Sequence, residues 1–173
     1  MKIVQKIRQA TAVMLSLFLL CTPSFADDNA KVEKACRKQC KQEVKRLQEE
    51  GWQVYGSSQT LEEVLLPYYL ELAAGAQHIT EKQSGPNINV ALSKAKLFAQ
   101  KQYAAAIESA VKAEVQNELA NTEADSVQTE QRFRASYQSK VDQRIKDFVP
   151  RFTLTRKQAD DKVEVIQYYT YKF

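Results

Sequence analysis

Apolar positions recur with a helical period over most of the chain and with a strand period near its C-terminus. Between Lys31 and Glu50 they return every three or four residues without Gly or Pro, which predicts an amphipathic helix that ends at Gly51. The apolar stripe of this helix consists of Val32, Cys36, Cys40, Val44 and Leu47. Residues 52–55 then alternate in the manner of a short strand.

A second, shorter helix is predicted after this strand. Thr60 and Glu63 have the spacing of a capping box, which marks the start of a helix. Pro67 lies inside the helical pattern and predicts a kink or an early end. The Gly- and Pro-containing stretch 75–89 is interpreted as a loop with a strand at residues 76–81.

The strongest helical pattern covers residues 89–121. Its small-residue stripe contains Ala91, Ala95, Ala99, Tyr103, Ala106, Ala110 and Ala113. A wider apolar face adds Leu92, Phe98, Ile107, Val111 and Val115. Because alanines allow close approach, we expect this helix to be central and packed on a sheet. A further helix is predicted over residues 133–148, before Pro150.

The C-terminal segment has the period of two strands joined by a turn. Phe152 and Leu154 alternate with polar residues, and residues 157–161 are typical of a turn. One face of the last strand carries Val163, Val165, Tyr169, Tyr171 and Phe173. The predicted fold class is therefore α+β: a long Ala-rich helix on a small antiparallel sheet with a C-terminal hairpin. We assign 27–50 to an N-terminal amphipathic helix and 51–173 to a single domain.

Residues 1–26 have the three-part pattern of a secretory signal. A basic start is followed by an apolar run over residues 12–21 and by the small-residue motif Ser24-Phe25-Ala26. The apolar run is about half as long as the roughly 20 residues that a membrane helix needs. We predict cleavage between Ala26 and Asp27, export, and a location in the periplasm or cell envelope of a bacterium.

Cys21 allows a second interpretation of this leader. In a bacterial lipoprotein, cleavage falls directly before a Cys that then carries the lipid, and a small residue precedes that Cys. Here Leu19 and Leu20 precede it. The mature chain is anchored to a membrane only if Cys21 is lipidated; otherwise Cys21 is removed with the leader.

Composition narrows the functional classes. A length of 173 residues predicts one compact domain. Most of the net charge of +4 comes from Lys2, Lys6 and Arg8 in the predicted leader, so we expect no nucleic-acid partner. Because the chain contains only one His and four Gly, few residues are available for His-based catalysis or for phosphate-binding loops. We therefore predict no enzymatic activity, no catalytic or metal-binding residues and no cofactor.

Cys36 and Cys40 are the strongest candidates for a reactive pair of side chains. Their i, i+4 spacing places the Cβ atoms about 5–6 Å apart on a helix, whereas a disulfide needs about 3.5–4.5 Å. Export, however, permits disulfides. Three interpretations stay open: two small apolar residues of the buried stripe, a disulfide within or between chains, and a metal or redox pair.

Three further features have a structural and a functional interpretation. His78 is the only histidine, so we expect it to be structural or solvent-facing. Glu62 and Glu63 could pair as carboxylates for sugar hydrolysis, but the capping box accounts for Glu63. The helix over 31–50 has a basic face that suits anionic lipids or wall polymers, or is simply solvated.

The order of features resembles the Lpp-twenty family of bacterial envelope lipoproteins. The matching parts are the exported start, the Gly51-Trp52 pair, the Ala-rich helix over 91–113 and a terminal hairpin that ends Val163-Glu164-Val165-Ile166. The resemblance covers residues 51–173. It implies a strand-helix-strand-strand domain of the cell envelope without enzymatic activity. The sequence departs from the family at Cys21, which no small residue precedes.

These patterns predict an exported, non-enzymatic envelope protein with a binding or structural role. Envelope proteins and cell-wall components are the partners we expect, reached through the Cys-bearing helix or an exposed sheet edge. The alternative is a thiol-dependent envelope protein, either redox-active or a disulfide-linked dimer, that uses Cys36 and Cys40.

Overall fold

The computed structural model describes residues 27–120, 126–158 and 160–172. A first compact unit ends at Lys34 and is helical over its described part, residues 27–34; the second unit covers residues 35–173. The elements are, in chain order, α1 (Asp27–Glu49), β1 (Gln53–Val54), α2 (Leu61–Ala73), β2 (Gln77–Gly85), α3 (Ile88–Leu119), α4 (Ser126–Asp147), β3 (Phe152–Lys157) and β4 (Val163–Tyr171).

The four strands form one antiparallel sheet in the order β1-β3-β4-β2. β4 is central and pairs with β3 from Phe152↔Tyr168 to Lys157↔Val163, as the predicted C-terminal hairpin requires. On its other side β4 pairs with β2 over all nine residues of that strand. β1 contributes only two residues, at the edge beside β3.

Helices cover both faces of this sheet. On β4, Ile166 and Tyr168 join the core that contains α1 and α2 residues, whereas Tyr169 joins the core of α3 and α4. Val165 packs with Ala91 and Ala95 of α3. Because successive strand residues point to opposite faces, a run of apolar residues is buried on both sides. The predicted α+β class, with a long helix on an antiparallel sheet, is confirmed.

The alanine stripe brings the first half of α3 close to the sheet. Ala91, Ala95 and Ala99 are completely buried. The Asn87 side chain caps the helix by accepting a hydrogen bond from the Val90 backbone N–H at 3.0 Å. A Cβ on Gly85 would lie 2.9 Å from the Ala91 nitrogen, so only glycine permits this approach of strand end and helix start.

The stripe of α1 is buried where it belongs to the second unit. Leu47 and Cys40 are almost fully buried, and Val44 packs against the same core. Cys36 is also buried. Val32, the first predicted member of the stripe, belongs to the first unit and is 42% exposed.

Two sequence expectations are revised: the early end of α2, which was one of the two outcomes expected at Pro67, and the length of β2. α2 does not end early at Pro67 but continues to Ala73, because Leu65 and Tyr68 on either side of the proline are buried while Pro67 itself faces solvent. β2 extends to Gly85, beyond the expected residues 76–81, because its whole length pairs with β4. Tertiary pairing here outweighs the weak strand propensity of the local sequence.

Candidate functional site

The two cysteines of α1 lie against the backbone of α2. The Cys36 thiol donates to the Tyr69 carbonyl oxygen at 3.6 Å, and the Cys40 thiol approaches the Glu62 carbonyl oxygen at 4.0 Å. Neither cysteine forms a disulfide within the described part of the chain. Burial raises the pKa of the Cys40 thiol, and the negative charges of Glu62 and a Cys36 thiolate add to the effect. A raised pKa disfavours the reactive thiolate.

The predicted processing site lies mostly outside the described part of the chain. Cys21 and Ala26 are not among the described residues. Asp27, the predicted first residue of the mature chain, begins α1.

A charged cluster surrounds the one tryptophan of the chain and was missed by sequence reasoning. We call it the Trp52 cluster, and it consists of Trp52, Glu50, Lys82, Arg156 and Glu164. The indole N–H donates to Glu50 Oε2 at 3.0 Å. Arg156 Cζ lies 4.6 Å from the ring centroid and Lys82 Nζ lies 5.3 Å from it, both within cation–π range. Trp52 itself is only 3% exposed.

Ion pairs hold this cluster together across three strands and the end of α1. Arg156 Nε donates to Glu164 Oε2 at 2.6 Å, and Lys82 Nζ lies 3.4 Å from Glu164 Oε1. Arg156 also donates to the Glu50 carbonyl oxygen at 3.1 Å. Cross-strand pairing puts Arg156 directly opposite Glu164, which a correct hairpin register alone would reveal.

Both carboxylates of the Trp52 cluster are stabilised in the ionised form. The hydrogen bond from the Trp52 indole, with the charges of Arg46 and Arg156, lowers the pKa of Glu50. Burial alone would raise the pKa of Glu164, but the Arg156 hydrogen bond and the Lys82 charge bring it below its ordinary value. Neither carboxyl group is therefore placed to donate a proton near neutral pH.

The remaining sequence candidates have structural surroundings. Glu63 closes the predicted capping box: its Oε2 accepts from the Thr60 N–H at 2.6 Å, and its own N–H donates to Thr60 Oγ1 at 3.3 Å. His78 lies on β2 with its ring centroid 6.3 Å from that of Tyr68, edge to face. Partial burial lowers the pKa of His78, so its imidazole is neutral at pH 7.

The basic face of α1 is solvated where it belongs to the second unit. Lys38, Lys41 and Lys45 share an exposed face by their spacing, and Lys45 Nζ lies 3.9 Å from Glu49. Arg46, by contrast, is held by Glu43 and Glu50 at 2.5 Å each.

Within 27–120, 126–158 and 160–172, there is no group of three or more His, Cys, Asp or Glu that could hold a metal ion. No helix in the described part of the chain has the length and apolar character needed to cross a membrane.

Strand β2 forms an edge of the sheet. It pairs with β4 on one side, and among the described residues no strand pairs with its other side. Four of its nine residues are exposed: Gln77, His78, Thr80 and Lys82. An edge of this length offers backbone groups to an added strand.

Comparison with protein-family models, curated proteins and solved structures finds no match to this chain.

Proposed function

We propose that this chain is an exported, non-enzymatic protein of the bacterial cell envelope with a binding or structural role. The observation that carries the proposal is that the side chains best suited to catalysis already form contacts within the fold. Cys36 and Cys40 pack on α2 carbonyls, Glu63 caps α2, and Glu164 pairs with Arg156. Partners then bind to outer surfaces, namely the open edge of β2 and the solvated faces of the helices.

Export is supported by the sequence of the leader rather than by the fold. The basic start, the short apolar core and the small residues before Asp27 form the pattern that the export machinery recognises. The likeness to the Lpp-twenty family points to the same compartment and remains part of the proposal. Cleavage before Asp27 releases the chain, whereas lipidation of Cys21 anchors it.

Cell fractionation combined with intact-mass measurement tests this proposal. The full chain is expressed in a bacterium beside a Leu17→Arg variant, whose charge interrupts the apolar core of the leader. We expect the wild-type chain in the envelope or periplasmic fraction with a mass that begins at Asp27, and the variant in the cytoplasm with its leader retained.

Two outcomes contradict the proposal. One is a wild-type chain that stays in the cytoplasm with residues 1–26 attached. The other is a purified chain that turns over a defined substrate and loses this activity through one substitution. A mass that begins at a lipid-bearing Cys21 would instead replace the predicted cleavage site by an anchored form.

The thiol-dependent alternative has less support. Cys40 is 1% exposed and its thiol pKa is raised, whereas reactive cysteines are accessible and have lowered pKa values. A disulfide-linked dimer would require α1 and α2 to separate in each chain before a sulfur atom of one chain could reach a sulfur atom of the other.

A further inference from the structure

The first half of α3 has an exposed apolar pair on its outer surface. Leu97 is 65% exposed and Phe98 is 46% exposed. The helical pattern predicted Phe98 on the buried face, and this prediction was wrong. The sheet covers only the narrow alanine stripe, so Phe98, one residue before the buried Ala99, faces solvent.

Two lysines share the face of this pair. Lys94 and Lys101 are exposed and lie three or four residues from Leu97 and Phe98, which places all four side chains on one side of the helix. Residues 88–107 contain no Asp or Glu. Lys94 reaches the Ser84 carbonyl oxygen at 3.3 Å. Lys101 forms no ion pair with any described residue. We call the four residues 94, 97, 98 and 101 the α3 surface.

Two neighbouring carboxylates have other partners. Glu108, two turns after Lys101, pairs with Lys112 at 2.6 Å. Glu81 of β2 accepts a hydrogen bond from Gln102. Among the described residues, neither carboxylate forms an ion pair with Lys94 or Lys101.

Helix α4 does not cover this surface. It packs on the second half of α3, where Lys140 Nζ lies 2.6 Å from Glu114 and Arg144 pairs with the same carboxylate at 2.7 Å. Val111 and Val115 lie in the core between the two helices. Glu114 and Glu118 of α3 thus pair with α4, whereas Lys94 and Lys101 face solvent beside Leu97 and Phe98.

We propose that the α3 surface docks on an anionic phospholipid bilayer, with Leu97 and Phe98 in the headgroup region and the lysines among the phosphates. Helices that lie on membranes combine Leu or Phe with Lys in this way, and each Lys near an anionic surface adds to binding. A second copy of the chain fits less well, because a symmetric contact would bring the same lysines together. The proposal gives a partner to the binding role proposed above.

A tryptophan reporter locates the contact. In Phe98→Trp, the new indole sits on the α3 surface, while Trp52 gives a constant background because it is buried. The chain is used as recovered from cells and mixed with vesicles of phosphatidylglycerol and phosphatidylcholine in equal parts. We expect a blue-shifted emission and quenching by brominated acyl chains, and neither effect with phosphatidylcholine alone.

Val149→Trp is the matched reporter control. Val149 is 63% exposed but lies outside the α3 surface. We expect no quenching of its indole by brominated lipid. This comparison separates docking of the α3 surface from attachment of the chain by any other segment, including a retained leader.

Vesicle sedimentation measures the contribution of each part of the surface. Leu97→Ser with Phe98→Ser, and Lys94→Gln with Lys101→Gln, should each weaken partitioning about tenfold or more. Lys41→Gln with Lys45→Gln removes the same charge from α1 and should change it less than threefold. All these positions are exposed, so we expect circular dichroism and thermal unfolding to stay as in the wild type.

Each contrary result overturns the proposal. Equal binding to phosphatidylcholine, undiminished binding of either α3 double variant, or an equal loss in the α1 variant would exclude docking by this surface. A Phe98→Trp blue shift without vesicles, with a dimer in sedimentation velocity, would assign the surface to a second copy. Cell fractionation decides export independently, so failure of one proposal is distinguishable from failure of the other.

Discussion

Cys36 and Cys40 lie on the side of α1 that packs against α2. Their thiols approach backbone carbonyl oxygens of α2 rather than each other's sulfur. Cysteine in such surroundings behaves as a small apolar residue. The burial that fills the core therefore also withholds the thiols from solvent. Their reactivity should report the integrity of the packing between α1 and α2.

We expect both thiols to resist modification in the folded chain. The measurement is the rate of reaction with a maleimide, followed by intact mass, in a Cys21→Ser background that leaves only these two cysteines. Labelling should become fast only in denaturant, because the buried thiol of Cys40 has a raised pKa. Rapid labelling in native buffer, or a reductant-sensitive dimer on a gel, would contradict this prediction.

Glu164 is the residue whose charge state matters most to the Trp52 cluster. It is 8% exposed and faces both Arg156 and Lys82. Glu164→Gln should lower the free energy of unfolding by about 1–3 kcal/mol at pH 7, because two cations lose their charged partner. Urea titration measures the change. Glu130→Gln, which breaks an exposed pair with Arg134, is the control and should change little.

The same variant gives a pH dependence with a definite sign. The folded chain lowers the pKa of Glu164, so its carboxylate contributes stability above the ordinary glutamate value of about 4.3. This contribution disappears as the pH falls through the lower, folded value. Thermal unfolding should therefore separate wild type from Glu164→Gln at pH 7 and bring them together in acid. A gap that stays constant down to pH 2 would contradict the assignment.

The defining element is α3, whose two halves have different neighbours. Its first half lies on the sheet through alanines, and its second half packs against α4 through larger side chains. Close approach depends on the absence of side-chain volume at Ala91, Ala95 and Ala99. Added volume there must move the helix away from β4.

Ala95→Leu should lower the free energy of unfolding by about 1–3 kcal/mol, because a larger side chain overpacks the contact with Val165. Ala105→Leu on the exposed face of the same helix is the matched control. It should change stability by less than about 0.5 kcal/mol. Urea denaturation of both variants compares them, and equal effects at the two positions would exclude the proposed contact.

Sequence patterns predicted the elements whose signal is local. The alanine period gave α3, the Thr60–Glu63 spacing gave the start of α2, and the change to a period of two gave the hairpin. Features that depend on distant partners were missed. The full length of β2 exists only because β4 pairs with it along its whole length.

The candidate surfaces also divide into those that follow from local sequence and those that depend on distant partners. The basic face of α1 follows from helical spacing, so it could be predicted from sequence. The Trp52 cluster could not, because it joins the end of α1 to residues on β2, β3 and β4. Phe98 was assigned to the core because periodicity identifies a helix face but does not show how much of that face the neighbouring elements cover.

Residues 35–49 of α1 pack with α2 on one face of the sheet, and α3 and α4 pack on the other. The exposed side of α3 and the lysines at 38, 41 and 45 of α1 therefore face away from each other. Docking through Leu97 and Phe98 would leave the α1 face in solvent. This separation is what makes lysine substitutions on α1 a fair control for those on α3.

Both faces of β4 are buried under helices, so we expect partners to bind at the outer surfaces. Hydrogen exchange of the backbone amides measures this burial directly. We predict that the amides of residues 165–169 and of the buried stretch of α3 exchange only through global unfolding, at one common slow rate, while the outer amides of β2 exchange faster. Exchange within β4 as fast as at the β2 edge, or loss of protection in α3 while the sheet stays protected, would contradict this arrangement.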